Sequence, residues 1–212
     1  NVLEPHFLSH ITRTPQGQHL DIGVGTGHYL ALAARSRALR NVSSVTLFDL
    51  SPLTLSMAEE RLRKAGYEGE IKVVQDEKHE PSQQTFNSIS LFYLLHCLPG
   101  NMYTKSSKVF SSLKHRLSSP PSTPPQLDSD PNSLRHNGGG VLYGATVPGE
   151  RYASHNWLGK MWLRYYNRQG VISNTEDSRE GLEVALREHF GEVDIWEEGR
   201  VVLFVARRLI IQ

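Results

Sequence analysis

The sequence has few of the features that mark secreted, membrane-spanning or nucleic-acid-binding proteins. Its 212 residues include one cysteine, Cys97, which excludes an intramolecular disulfide and a cysteine-based zinc cluster. No apolar run approaches the roughly 20 residues of a membrane-spanning helix. Lys and Arg number 23 against 22 Asp and Glu, and they are scattered rather than clustered. These absences argue against a membrane span and a nucleic-acid partner, favour a cytoplasmic protein, and leave no metal site expected.

Strand and helix patterns alternate along most of the chain. Helices are predicted at 29–39, 53–65 and 176–190, from apolar spacing and from Ser51-Pro52 as a start signal. Strands are predicted at 18–24, 44–50, 71–75, 88–93, 141–147, 192–197 and 200–207. This alternation predicts a parallel sheet covered by helices on both faces, with a terminal hairpin that makes the last strand antiparallel.

The chain is predicted to form a single domain over residues 1–212. One segment, 118–137, is rich in Pro, Ser, Asp and Asn and offers almost nothing to bury. It is predicted to be a flexible surface insertion, and a domain linker is the weaker alternative because too little chain follows it to fold alone.

A glycine-rich turn carries the strongest functional signal. Asp21 is followed by Gly23, Gly25 and Gly27 where the first strand gives way to a helix. Glycines at such a turn let the backbone approach a ligand closely, and the helix N-terminus offers free N–H groups. A tight turn that merely needs positive φ angles is the structural alternative.

Asp49 gives the turn a partner, because it ends the second predicted strand. A carboxylate in this position can accept two hydrogen bonds from a ribose diol. Its apolar neighbours Leu47, Phe48 and Leu50 offer no partner that would explain a buried acid. The alternative is that Asp49 caps the helix starting near Pro52.

Together these residues resemble the class I S-adenosylmethionine-dependent methyltransferases of small-molecule type, over essentially the whole chain. The resemblance implies a Rossmann-like three-layer α/β sandwich, with a seven-stranded, mostly parallel sheet and an antiparallel last strand. It also implies that the glycine turn wraps the methionine part of S-adenosylmethionine and that Asp49 binds the ribose. The adenine is then contacted by Asp76, with Leu50, Gln75 and Tyr93 also in the cofactor site.

Two details test this resemblance. Asn87 stands where the family usually has an aspartate before the fourth strand. A dinucleotide is the competing cofactor, since such domains also begin with a glycine-rich turn. Against it, His28 occupies the position where the dinucleotide pattern requires its third glycine.

His96 and Tyr93, at the end of the fourth strand or just after it, are candidates for catalysis. His96 lies at the carboxyl edge of the sheet, where ligands bind, and an imidazole can take a proton near neutral pH. The alternative is a histidine that starts a helix or packs in the core. Tyr93 is a comparable candidate.

An aromatic segment, 151–174, follows the fifth strand, where the family places insertions that cover the substrate. It is predicted to be a lid whose substrate contacts include His155, Trp157, Trp162 and Tyr166. The alternative is an ordinary surface helix packed by these side chains. Because they are aromatic, they can also form an oligomer interface.

The predicted function is methyl transfer from S-adenosylmethionine to oxygen, nitrogen or carbon of a small molecule such as a secondary metabolite, with S-adenosylhomocysteine as product. Two alternatives keep the fold. In one, the same pocket supports cyclisation, elimination or pericyclic chemistry and leaves the cofactor intact. In the other, the protein is a non-catalytic binding partner.

Overall fold

The computed structural model describes residues 2–11, 17–75, 84–118, 139–151 and 157–209. The helices are α1 Leu3–Ile11, α2 His28–Arg35, α3 Pro52–Lys64, α4 Met102–Leu113, α5 Trp157–Arg168 and α6 Arg179–His189. The strands are β1 Gly17–Ile22, β2 Val42–Asp49, β3 Glu70–Gln75, β4 Ser88–Phe92, β5 Val141–Thr146, β6 Phe190–Glu198 and β7 Val201–Leu209. Single turns of 3-10 helix follow β4 and α4, at Leu95–Cys97 and Lys114–Arg116.

The seven strands form one sheet in the order β3-β2-β1-β4-β5-β7-β6. β7 pairs antiparallel with β5 and β6, and the other neighbouring strands are parallel. The strand order reverses between β1 and β4, and ligands bind outside the carboxyl ends of the strands at such a point. The predicted fold class is confirmed, including the reversed last strand.

Helices cover both faces of the sheet. Side chains of α1, α2 and α3 belong to one buried apolar cluster, and those of α4 and α6 belong to the other. The sequence interpretation did not include α1, although its Leu3, Phe7 and Ile11 are buried. Burial of these apolar side chains supplies the main free energy that holds the layers together.

Local signals set most helix starts. Ser51 caps α3, as predicted, by accepting the Thr54 N–H at 3.3 Å, and Pro52 follows. The predicted end of α2 was wrong, because the helix stops at Arg35 rather than continuing to residue 39. Arg37 adopts a φ of 60°, which breaks the helix and turns the chain toward β2.

The predicted insertion at 118–137 lies outside the described residues except for Ser118. At its edges the carbonyl of Ser118 accepts the Gly140 N–H at 2.8 Å, so the chain leaves and re-enters the fold at neighbouring points. Of the helices that the structure describes, none is long and apolar enough to cross a membrane.

Candidate active site

The glycine turn lies at the carboxyl edge of the sheet, where β1 and β2 end side by side. Gly23, Gly25 and Gly27 have φ angles of 70°, 51° and 68°, a region that residues with a Cβ rarely adopt. The Gly23 N–H donates to the carbonyl of Phe48 at 2.8 Å. The turn is therefore held against the end of β2.

The three glycines serve different purposes. A Cβ at Gly23 would lie 3.0 Å from the side chain of Leu94, and one at Gly27 would lie 2.9 Å from Ala58 on α3. These two positions need glycine for packing as well as for backbone conformation. A Cβ at Gly25 would meet no atom within 4 Å. Gly25 thus borders open space, and its bare backbone leaves room for a ligand.

Asp49 faces this turn from the end of β2. Its Oδ2 accepts the Gly25 N–H at 3.3 Å, and its Oδ1 accepts the Ser51 N–H at 3.0 Å. A carboxylate has about four acceptor positions, so two remain available for ligand hydroxyls. The cap of α3 comes from the hydroxyl of Ser51, so the capping alternative for Asp49 is wrong.

Leu50 and Gln75 lie beside Asp49 at the same edge. Leu50 follows Asp49 directly and is 68% exposed, which is unusual for a leucine next to a buried strand. Gln75 pairs in register with Asp49 and is exposed. Both therefore lie at the carboxyl edge of the sheet beside Asp49. Asp76 lies outside the described residues.

Asp21 is buried beneath the glycine turn, in a chain of polar side chains. The hydroxyl of Ser90 donates to Asp21 Oδ1 at 2.6 Å, and it also lies 3.1 Å from Nε2 of His19. His19 Nδ1 is 2.8 Å from the hydroxyl of Ser88. Burial raises the pKa of Asp21 to about 7 and lowers the pKa of His19 to about 3. The floor of the site therefore contains a neutral imidazole and a carboxyl group that changes charge near neutral pH.

Tyr93 marks the point where the chain leaves β4. Its φ of 61° is unusual for a residue with a side chain, and its N–H donates to the carbonyl of Ala145 at 2.8 Å. Such a conformation costs about 1 to 3 kcal/mol and is found most often at functional sites. Burial raises the pKa of the Tyr93 hydroxyl. The ring meets that of His96 edge to face, with centroids 5.5 Å apart.

His96 lies in the turn that follows, and only 9% of its surface is exposed. Its Nδ1 has no hydrogen-bond partner among the described residues. Burial, with a smaller effect from the charge of Lys105, lowers the pKa of His96 to about 4. The imidazole is therefore neutral at physiological pH. The structure brings His96 and Tyr93 together at the carboxyl end of β4.

Helix α5 turns its apolar side away from the protein. Six large side chains form one exposed stripe, at Trp157, Leu158, Met161, Trp162, Tyr165 and Tyr166. The rings of Trp162 and Tyr166 stack with centroids 5.5 Å apart. A surface helix packed by its aromatic side chains would have the opposite orientation, so that alternative is wrong. His155 lies outside the described residues.

Asn87, the departure from the family pattern, has a structural role. Its Oδ1 accepts the Gln18 N–H at 2.9 Å, and its Nδ2 donates to the hydroxyl of Ser118 at 3.4 Å. The carbonyl oxygen of an asparagine serves the first of these contacts as well as a carboxylate would. The substitution thus preserves the link between the starts of β1 and β4.

Three buried polar residues near the site were not predicted from the sequence: Lys105, Asn174 and Asp177. No local pattern distinguishes them, because Lys105 stands on an amphipathic helix and the other two lie in a polar loop. They join α4 to the loop after α5. Across the described ranges, no group of three or more His, Cys, Asp or Glu side chains is placed to hold a metal ion.

The sheet order, the reversed β7 and the glycine turn hydrogen-bonded to Asp49 together are typical of the Rossmann-like methyltransferase class. Comparison with known proteins agrees. A family model described as a methyltransferase domain matches residues 20–116. An O-methyltransferase of Aspergillus niger is 39% identical over 90% of this chain and 89% of its own length. The uncharacterized protein YbcY of Escherichia coli K12 is 37% identical over 96% of this chain and 90% of its own length.

A solved structure supports the same fold. A geranyl diphosphate methyltransferase in complex with S-adenosylmethionine aligns with a TM-score of 0.63, at 13% identity, over 98% of this chain and 84% of its own. At that identity the match shows the fold alone. On the sequence relationships, the chain belongs to the S-adenosylmethionine-dependent methyltransferase family.

Proposed function

We propose that the glycine turn and Asp49, at the carboxyl edge of β1 and β2, bind S-adenosylmethionine, and that the protein methylates an oxygen atom of a small-molecule acceptor. The Asp49 carboxylate carries the proposal. It is fixed by the N–H groups of Gly25 and Ser51 and retains free acceptor positions beside open space. A ribose diol is the part of the cofactor that this arrangement fits.

The other cofactor contacts follow from their places around Asp49. Gly25 leaves room for the methionine part beside the backbone. Leu50, exposed at the rim, offers an apolar surface for the adenine, and Gln75 lies next to it in register. Asp76, the next residue after β3, completes the set in our proposal. Asp21 joins the end of β1, just before the turn, to β4 through its hydrogen bond with Ser90.

Chemistry at this site depends mainly on positioning. When bound, S-adenosylmethionine supplies a methyl group on an already activated sulfonium. The protein then has to hold an acceptor oxygen in line with the methyl carbon and exclude water, and such orientation accounts for much of the acceleration of a bimolecular step. Transfer to oxygen, rather than nitrogen or carbon, is supported by the name of the Aspergillus niger relative.

His96 is the proposed proton acceptor for an acceptor hydroxyl. It is neutral, its Nδ1 lacks a partner among the described residues, and it lies at the carboxyl end of β4. A base with a pKa of about 4 is weak, so its contribution falls at the low end of general-base catalysis. Tyr93 is proposed to line the site through its ring.

The acceptor is proposed to be a largely apolar or aromatic small molecule. Trp157, Trp162 and Tyr166 present exposed rings, as a lid over residues 151–174 would require. His155 belongs to the same proposed contact set. We also propose that the chain forms one cytoplasmic domain with a surface insertion at 118–137.

The function is tested with S-adenosylmethionine labelled with carbon-13 in its methyl group and a panel of small phenols and alcohols. The expected products are a labelled methyl ether and S-adenosylhomocysteine in equal amounts. Asp49→Ala is expected to slow the reaction about 30-fold at limiting cofactor, because a hydrogen-bond acceptor for the cofactor is lost. Asp194→Ala, which removes an exposed carboxylate on β6 paired with Arg207, leaves it unchanged.

The same experiment distinguishes methyl transfer from the alternative in which the pocket supports other chemistry. Conversion of a panel compound without labelled product, and with S-adenosylmethionine recovered intact, contradicts methyl transfer. That outcome favours a pocket used for cyclisation, elimination or pericyclic chemistry.

A further inference from the structure

A loop of residues 171–177, here called the strap, joins α5 to α6. Two of its side chains, Asn174 and Asp177, are completely buried. Full burial is rare for these residue types unless they are hydrogen-bonded or paired with a charge. The strap is therefore fastened to the protein by specific polar contacts rather than by apolar packing.

Asn174 fastens the strap to α5 and to the end of β5. Its Oδ1 accepts a hydrogen bond from Nδ2 of Asn167 at 2.8 Å, and its N–H donates to Oδ1 of Asn167 at 3.1 Å. Its own Nδ2 donates to the carbonyl of Val147 at 3.2 Å. The position of the aromatic helix α5 thus depends on the position of the strap.

Lys105 connects the strap to the turn after β4. The ammonium donates to the carbonyls of Ser173 at 2.6 Å and Leu98 at 2.9 Å, and it lies 2.8 Å from Oδ2 of Asp177. The exposed fraction of the Lys105 side chain is 2%. These three contacts match the three donors of an ammonium group. The ammonium therefore contacts oxygen atoms on both sides of this junction: one on the turn after β4 and two on the strap.

The junction also includes His96. The Ser173 N–H donates to the carbonyl of His96 at 2.7 Å. Ser173 is thus held by Lys105 through its carbonyl and by His96 through its N–H. The strap and the turn that carries His96 form one hydrogen-bonded unit with Lys105 at its centre.

Stability alone does not account for a buried lysine here. Replacing a buried ion pair by apolar side chains of similar volume is often neutral or stabilising, because removal of two charges from water is costly. A methionine at position 105 and a leucine at 177 would satisfy the core without charge. What such side chains cannot do is hold two backbone carbonyls and a carboxylate at fixed positions.

We infer that Lys105 is a positioning residue of the active site, which fixes the strap to the 95–98 turn and thereby sets His96 and the aromatic face of α5 relative to each other. The inference rests on the proposed function in one respect, that His96 and α5 act on the acceptor. Lys105 itself has no contact with the proposed cofactor residues that the structure records.

The test compares Lys105→Met, the double variant Lys105→Met/Asp177→Leu, and Lys64→Met as a control that breaks only an exposed pair with Glu60. Amide hydrogen exchange is followed by NMR at Ser173 and in the centre of β4, and the ring signals of His96 are followed against pH. Binding of S-adenosylmethionine to each protein is measured by calorimetry.

Loss of the ammonium is expected to speed exchange at Ser173 by about tenfold or more, while β4 amides stay within about twofold of wild type. The His96 ring signals shift, and the pKa of His96 rises because a nearby positive charge is gone. The double variant recovers part of the melting temperature lost in Lys105→Met, because no carboxylate is left buried without its cation, but it keeps the fast exchange at Ser173. All three variants bind S-adenosylmethionine with the affinity of the wild type. In Lys64→Met, the exchange at Ser173 and the ring signals of His96 also match the wild type.

Two results overturn the inference. One is unchanged exchange at Ser173 together with unchanged His96 signals in the double variant. The other is a double variant in which the exchange at Ser173 and the His96 signals return to wild-type values as stability recovers. That result would make Lys105 a purely structural residue. Failure of the wild-type protein to bind S-adenosylmethionine is a separate outcome, which contradicts the proposed function and leaves the strap measurements interpretable.

Discussion

The N–H of Gly25 and Oδ2 of Asp49 lie 3.3 Å apart, so the turn after β1 and the end of β2 form one hydrogen-bonded unit. Gly25 contributes a bare backbone, and Asp49 contributes a carboxylate with unused acceptor positions. The two residues act together, since a displaced turn would also displace the carboxylate. The cofactor proposal depends on this pair.

Gly25→Ala is expected to weaken S-adenosylmethionine binding by about tenfold or more, because the new methyl group enters the open space beside the glycine turn. Gly199→Ala is the matched control. Gly199 has a similarly positive φ of 66° and equally open surroundings, but it lies between β6 and β7. Both variants lose about 1 kcal/mol of stability from backbone strain. Equal affinities in the two variants would show that Gly25 does not border the cofactor.

Asp21→Asn is expected to change the pH dependence of stability. Burial raises the pKa of Asp21 from 3.8 to about 7, so its contribution is fully present below about pH 4 and is lost as pH rises through 7. Asparagine keeps the acceptor for Ser90 without this loss. Between pH 5 and pH 8 the variant therefore gains about 3 kcal/mol relative to wild type.

The gain is measured by chemical unfolding of both proteins at the two pH values. The buried His19 contributes equally to both proteins and cancels in the difference. Parallel pH profiles would mean that Asp21 titrates in its ordinary range.

His96→Gln is expected to lower kcat by about 10- to 100-fold with unchanged affinity for S-adenosylmethionine. Because the pKa of His96 is about 4, the wild-type imidazole stays neutral from pH 8 down to about pH 5. The wild-type pH profile should therefore show no loss of activity centred near 6.5. A loss centred there that disappears in the variant would contradict the environment described for this histidine.

Tyr166→Ala is expected to raise the KM for the acceptor several-fold, because it removes a ring from the outward face of α5 and exposes its stacking partner Trp162. Tyr103→Ala removes a similarly exposed ring from α4, where the hydroxyl bonds to Glu188, and should leave KM unchanged. If neither substitution changes the KM, the result contradicts the proposal that the outward face of α5 contacts the acceptor.

Signals local in the sequence were sufficient to predict the sheet and the glycine turn at its carboxyl edge. Apolar runs predict the strands, and glycines flanked by Asp21 and Asp49 predict where a ligand can approach. Each of these depends on neighbouring residues or on the simple rule that parallel strands share a carboxyl edge.

Contacts between distant parts of the chain could not be predicted from these local patterns. Lys105 has the pattern of a surface lysine on α4, and its burial depends on Asp177 and Ser173 arriving from a later loop. The low pKa of His96 likewise reflects burial by segments that its own neighbours do not reveal. The outward orientation of α5 could not be predicted either. Amphipathic spacing shows that the apolar side chains share one side of the helix, but it does not show whether that side faces the protein or the solvent.

The central claim is tested most directly by calorimetric titration of the wild-type protein, Asp49→Ala and Asp194→Ala with S-adenosylmethionine and S-adenosylhomocysteine. The account predicts binding of both ligands to the wild-type and Asp194→Ala proteins. It predicts a loss of about 2 kcal/mol, or roughly 30-fold in Kd, in Asp49→Ala. Equal binding by all three proteins, or no binding by folded wild-type protein, would contradict it.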